Sequence, residues 1–134
     1  MSIKTKSNNE VKLAVGICMD INPYEFKSNF NDMEFSTFCK EKNADAIVFL
    51  TNWTESEEDI NSDGMNTLNY WAMRCSPLLK SNKPVYFLAA DRTGKEKKTF
   101  FVGNSCIIKM CNKPKIINRL NKYEQNTIYA SLNI

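Results

Sequence analysis

Val11-Lys-Leu-Ala-Val-Gly-Ile-Cys-Met19 is apolar apart from Lys12, rich in β-formers, and runs into Asp20-Ile-Asn-Pro23, a turn signal. It reads as a buried strand whose C-terminal end carries Cys18. Asn31 or Asp32 can then cap a short helix with Phe35, Phe38 and Cys39 at i, i+3, i+4, ending near Asn43. Asp45-Ala-Ile-Val-Phe-Leu50, closed by Thr51-Asn52, is a second continuous apolar run, the pattern of a strand buried on both faces. Strand, helix, strand sets the fold class as α/β.

Further along, Trp53 to Gly64 turns acidic and aperiodic and reads as a loop, at a length where loops tend to be functional. Met65 to Leu79 places Leu68, Trp71, Ala72, Cys75 and Leu79 on one helical face, with Pro77 bending or ending the helix. Pro84 to Ala90 is a third strand. Asp91-Arg-Thr-Gly94 and Lys95 to Lys98 read as a turn and charged excursion before Thr99 to Val102; Gly103-Asn104 is a second turn, leading into a strand over Ser105 to Met110. Lys109, Lys113, Lys115, Arg119 and Lys122 form a basic stretch that fits a solvated face or loop better than a site for an acidic partner. Ile128, Ala130, Leu132 and Ile134 alternate with polar residues, the period of a strand with one wet face.

The 134 residues form one expected domain, 1–134, large enough to build a core without disulfides or a structural metal. The net charge of +3 is too small to point to nucleic acid. No stretch approaches the roughly 18 to 20 apolar residues of a membrane span, and Met1 to Glu10 lacks an apolar signal region. Five cysteines with no C-x-x-C pair argue for a reducing compartment, so a cytoplasmic or possibly nuclear protein is expected, with no nucleic-acid or membrane partner. Histidine is absent, which removes Cys-His and Ser-His dyads and any histidine base. No metal or cofactor is expected.

A cysteine where a central strand gives way to a turn stands where open α/β sheets place their ligands and where a nucleophile can be exposed. Cys18 alone fits; Cys39, Cys75, Cys106 and Cys111 are explained as small buried hydrophobes. The string Gly16-Ile-Cys-Met-Asp-Ile-Asn-Pro-Tyr-Glu-Phe26 resembles the nucleophile motif of the nitrilase, or carbon-nitrogen hydrolase, superfamily, and its Asn-Pro-Tyr variant is most like the branch of amidases that deamidate N-terminal Asn or Gln. The resemblance continues in order through Ala44 to Leu50 with Asn52-Trp53, Tyr70 to Arg74, Ala89 to Gly94, and Phe101 to Ser105. It implies an α-β-β-α sandwich and covers only the C-terminal half of that family's usual domain.

The family's triad is Glu-Lys-Cys, with Glu and Lys upstream of the cysteine, but only 17 residues precede Cys18. Lys4, Lys6 and Lys12 stand in no matching lysine motif, and Glu10 is no substitute for the glutamate. The mechanism the resemblance implies is attack of a thiolate on the amide carbon, loss of ammonia, and hydrolysis of the thioester by water. In that mechanism Glu is the general base, and Lys with the backbone N–H of Met19 holds the oxyanion. A missing base costs about 10² to 10⁴ in rate and a missing oxyanion donor about 10² to 10³. The chain alone is therefore expected to be close to inert.

Among the neighbours, Asp20 fits a turn fixed by backbone N–H groups better than proton transfer, and Glu25 is likewise expected to be structural near the site. Trp53, Asn52 and Arg92 are the substrate-pocket candidates; packing explains Trp53 equally well, and Arg92 can serve to hold loops together. Asp91 replaces the asparagine of the family's Asn-Arg-x-Gly turn. Half a sandwich would expose a wide apolar sheet face, so homo-oligomers or a partner supplying an N-terminal half are expected beside the substrate, protein or peptide N-termini bearing Asn or Gln. A non-catalytic α/β interaction module is the alternative.

Overall fold

A computed structural model describes residues 1–6 and 8–134. Its centre is a six-stranded sheet in the order β1-β2-β3-β4-β7-β8, formed by β1 (Ser2–Lys4), β2 (Glu10–Ile17), β3 (Ala46–Thr51), β4 (Val85–Asp91), β7 (Cys106–Met110) and β8 (Lys115–Arg119). β2, β3 and β4 run parallel, with Val15 opposite Val48 and Val48 opposite Leu88; the remaining pairs are antiparallel. β5 (Thr93–Glu96) and β6 (Thr99–Val102) form a separate hairpin. The parallel centre requires crossovers, and these carry α1 (Glu34–Glu41) and the pair α2 (Glu57–Ser62) and α3 (Met65–Arg74).

The helices cover one sheet face. There Ile47, Phe49, Phe87, Cys106 and Ile108 pack with Cys39, Leu68, Trp71, Cys75 and Leu78. Aromatic rings knit this layer, with Phe49 5.8 Å from Trp71 and 5.2 Å from Phe87. Gly16 lets α1 approach β2, because a Cβ at that position would run into the Phe35 ring. On the opposite face Val15, Ile17 and Leu50 remain 50%, 60% and 48% exposed. The C-terminal segment covers only part of that face: the Tyr86 hydroxyl donates to the Asn133 carbonyl at 3.2 Å, and Ile128 lies near Val48 and Leu88.

The structure corrects several expectations. β3 is not buried on both faces, because no second layer covers Leu50. β2 stops at Ile17, so Cys18 opens a 3-10 turn rather than lying within the strand. The helix after it has no Asn31 or Asp32 cap; Met33 precedes α1 in a left-handed conformation, while Asn29 caps the preceding turn. The acidic segment is not all loop, since Ser56 caps α2 by accepting the Asp59 N–H while Asp59 accepts the Ser56 N–H. Asp91 ends a strand, and Thr93 to Glu96 form one rather than a charged excursion.

The basic stretch contains β8, and two of its five cations are partnered: Arg119 bonds Asp63 at 2.9 Å, and Lys122 pairs with Glu55 where both side chains are 7% exposed. Ile128 to Ile134 is not a strand. A period of two forms a strand only where a neighbour offers a ladder, and this segment crosses the sheet face instead of extending its edge. In the region of Pro77 the chain behaves as expected: α3 ends at Arg74 and a 3-10 turn over Ser76–Lys80 takes over. Gly103 and Asn104 both adopt positive φ in their turn.

The Gly16 contact gives a direct test. Gly16→Val should destabilise the protein by about 1 to 3 kcal/mol through overpacking against Phe35, read as a shift in the denaturant midpoint, whereas Val15→Ser on the open face should shift it far less.

Candidate active site

β2 delivers Cys18 to the C-terminal edge of the parallel strands, the edge where open α/β sheets hold ligands. Cys18 has φ 43°, a left-handed conformation costing a non-glycine residue roughly 1 to 2 kcal/mol. Asp20 supports this elbow by accepting the Ile17 N–H at 2.8 Å, so its carboxylate fixes the turn. Parallel register sets Ile17 beside Leu50, which brings Thr51 next to Cys18, and the Thr51 hydroxyl donates to the Cys18 Sγ at 3.3 Å.

The segment after the elbow is held by α3. Tyr70 and Arg74 lie one turn apart on its inner side. The Tyr70 hydroxyl donates to Asn22 Oδ1 at 2.5 Å. Arg74, 1% exposed, donates from Nε to the Ile21 carbonyl at 2.7 Å and from a terminal nitrogen to the Phe30 carbonyl, with its guanidinium 5.1 Å from the Phe30 ring. A charge that deep must be fully hydrogen-bonded, and here backbone carbonyls do that work. Burial raises the Tyr70 hydroxyl above its ordinary pKa, so it stays a donor.

Cys18, Met19, Asn22, Asn52, Trp53 and Tyr70 line a cleft of about 720 Å³, completed by Ser56, which caps α2, by Asp59 of α2 and by Asn66, Asn69 and Met73 of α3. Among the described residues no lysine or arginine lines it. Trp53 both walls the cleft and packs, its ring 5.6 Å from Tyr70 and 5.7 Å from Trp71. Asp59 is consumed structurally, accepting from Ser56 and from the hydroxyl and N–H of Thr67. Arg92 does not line the cleft: it pairs with Glu96 at 2.9 Å and stacks 4.3 Å from the Phe101 ring centre. Glu25 also lies outside, exposed and paired with Lys27 at 2.8 Å.

Cys18 is the one cysteine in the cleft. Cys39, Cys75 and Cys106 are buried, and desolvation pushes the Cys39 thiol up to about 11 and that of Cys106 up to about 12, with Cys75 raised as well. They are thiols inside a core. Cys111 is half-exposed, its Sγ 3.0 Å from the Lys113 carbonyl. Sequence reasoning missed Asn22, Thr51, Tyr70 and Arg74 as parts of the site. The available signals were a hydroxyl residue closing an otherwise apolar strand and two polar residues at i, i+4 on a core-facing helix.

The arrangement matches known proteins. No protein-family model matches the chain. An N-terminal amidase structure with a bound Asn-Glu-Ala peptide superposes with a TM-score of 0.73 at 17% identity, over 92% of this chain and 62% of that one. A carbon-nitrogen hydrolase from Helicobacter pylori G27 superposes with a TM-score of 0.60 at 18% identity, over 85% of this chain and 38% of that one. The fold is that of the nitrilase, or carbon-nitrogen hydrolase, superfamily. In sequence the chain is similar to two protein N-terminal amidases, being 32% identical over 130 residues to that of Schizosaccharomyces pombe and 44% identical over 46 residues to that of Saccharomyces cerevisiae. It spans about half the length of the first, 46%, while 87% of this chain is matched.

Asp91 ties β4 to the cleft wall, accepting the Trp53 N–H at 2.9 Å on one oxygen while the other is buried without a partner. Burial pushes its carboxyl up to about 8. A folded pKa above the unfolded value of about 4 means that the folded state holds the proton more tightly. Stability therefore falls as pH rises between about 4 and 8, then levels. Asp91→Asn keeps the acceptor for Trp53 and removes that penalty. Its stability advantage over the parent should widen by up to about 1.4 kcal/mol per pH unit across this window, measured by denaturant unfolding at pH 5, 6, 7 and 8; a pH-independent difference would contradict it.

Proposed function

We propose that this chain carries the nucleophile-bearing half of an amidohydrolase that deamidates N-terminal Asn or Gln of proteins and peptides, through Cys18 and a thioester intermediate. The observation that carries the reading is Cys18 itself: a strained cysteine at the end of a parallel strand, partly exposed in the cleft and hydrogen-bonded by Thr51. The similarity to N-terminal amidases, including structures with Asn-Glu-Ala and Gln-Val peptides bound, supports the substrate class. The cleft's chemistry agrees with it. Asn22, Asn52, Asn66 and Asn69 offer paired donors and acceptors to a carboxamide and peptide backbone, and the absence of lining cations among the described residues suits a substrate with a free ammonium terminus.

In the proposed reaction the Cys18 thiolate attacks the side-chain carboxamide carbon, the backbone N–H of Met19 helps hold the oxyanion, ammonia leaves, and water frees the acid. Trp53 and Asn52 shape the pocket, while Asp20, Tyr70 and Arg74 hold the elbow. No residue of these 134 matches the glutamate or lysine motif, so by themselves they hydrolyse amides slowly. The apolar face around Val15, Ile17 and Leu50 is where a second sheet, from an N-terminal half, would complete the sandwich. The same surface supports a non-catalytic interaction module or a homo-oligomer, which is the second reading.

The test is reconstitution. Mixed with a protein half bearing the glutamate and lysine motifs, the chain should release ammonia from peptides beginning with Asn or Gln. Cys18→Ala and Cys18→Ser should abolish release, the serine because a hydroxyl ionises far less readily than a thiol. Cys39→Ala and Cys75→Ala should cost about 1 to 3 kcal/mol of stability and leave the chemistry intact. Release that survives Cys18→Ala, or an assembled complex that never turns over, would favour the interaction module.

A further inference from the structure

Beside the cleft runs a second groove of about 670 Å³, between the post-elbow segment and α1. Met19, Asn22 and Phe26 line both, so the two adjoin across these residues. Aromatic rings line the second groove: Tyr24 and Phe38, which the cleft does not share, are 69% and 52% exposed, and Phe26 on the shared rim is 68% exposed. Large aromatics at such exposure, lining one groove, form the kind of patch that marks an interaction surface. Two consecutive residues here, Glu25 and Phe26, hold left-handed φ of 50° and 55°, a cost that non-glycine residues bear where the surroundings require the geometry. The charged groups lining the groove are Asp20, Glu25 and Glu34, all carboxylates. Among the described residues no cation lines it, though Lys27 pairs with Glu25 from outside.

We propose that this groove binds the residues that follow the first residue of the peptide substrate, and that it favours apolar and basic side chains there. The proposal rests on the amidase reading, which places the substrate's first residue at Cys18. A peptide leaving the cleft in extended form advances roughly 3.3 Å per residue, and crossing the rim formed by Met19, Asn22 and Phe26 takes it from one cavity to the next. The aromatic wall then gains by covering apolar side chains, and the carboxylates by attracting Lys or Arg.

The experiment is fluorescence anisotropy with C-terminally labelled peptides on the Cys18→Ala chain, so that no turnover interferes. Asn-Leu-Lys-Phe should bind at least tenfold more tightly than Asn-Gly-Ser-Gly, and Asn-Leu-Glu-Phe should fall between them at low salt. Tyr24→Ser with Phe38→Ser, both exposed positions, should erase the difference by weakening Asn-Leu-Lys-Phe. N-acetylated Asn-Leu-Lys-Phe tests the amidase reading separately: it should bind more weakly than the free-terminus peptide. Equal affinity of the apolar-basic and Gly-Ser peptides overturns the groove alone. Indifference to acetylation with discrimination retained overturns the amidase reading alone, and no binding by any peptide overturns both. Concentration-dependent self-association that the Tyr24→Ser, Phe38→Ser variant abolishes would assign the groove to a second copy instead.

Discussion

The site depends on the buried guanidinium of Arg74. Its partners are carbonyl oxygens of Ile21 and Phe30, so one side chain fixes the path of the chain on both sides of the Asn22-to-Asn29 excursion. The Ser36 hydroxyl returns the favour by donating to the Arg74 carbonyl at 2.7 Å, joining α1 to the end of α3. Buried carbonyls and a buried charge each cost several kcal/mol when unpaired, and here they cancel one another. With Asp20 and Tyr70 holding the near side, hydrogen bonds tie down the turn that Cys18 opens in its left-handed conformation, and the core holds its last residue, Ile21.

Around this clamp the molecule is one-sided. The helices bury one face of the sheet into a core of aromatics and thiols, and the other face keeps apolar side chains in water except where the C-terminal segment crosses it. The cleft opens at the strand ends of the same sheet. One consequence links architecture to chemistry: the strand edge that carries Cys18 also borders the uncovered face, through Ile17 and Leu50. Any layer that covers that face lies next to the nucleophile and can bring groups to it.

The parallel core was legible in the sequence because its strands are unbroken apolar runs ended by turn residues, and α3 because its apolar face keeps helical spacing up to Pro77. Cys18 stood out through position and through the Gly16-to-Phe26 string. What escaped notice depends on long-range partners. α2 is two turns held by Ser56 and Asp59, a capping pair with aspartate where glutamate is the common signal. β8 was masked by the basic residues in and around it, since nothing local says that Arg119 will meet Asp63 and Asn104. The C-terminal alternation was a true pattern with no ladder to join. Arg74 looked like the charged end of an amphipathic helix; its role comes from carbonyls 53 and 44 positions away in the chain.

The clamp can be tested by limited chymotrypsin digestion of the Arg74→Met variant, with cleavage rates after Tyr24, Phe26 and Phe30 read by mass spectrometry against cleavage after Phe100 in the β5–β6 hairpin. All four aromatics are already exposed, so differences report backbone freedom rather than access. If Arg74 holds the elbow segment, cleavage at the first three sites should accelerate at least tenfold relative to Phe100, while circular dichroism still shows a folded sheet. A folded variant in which all four sites keep their relative rates would contradict the account.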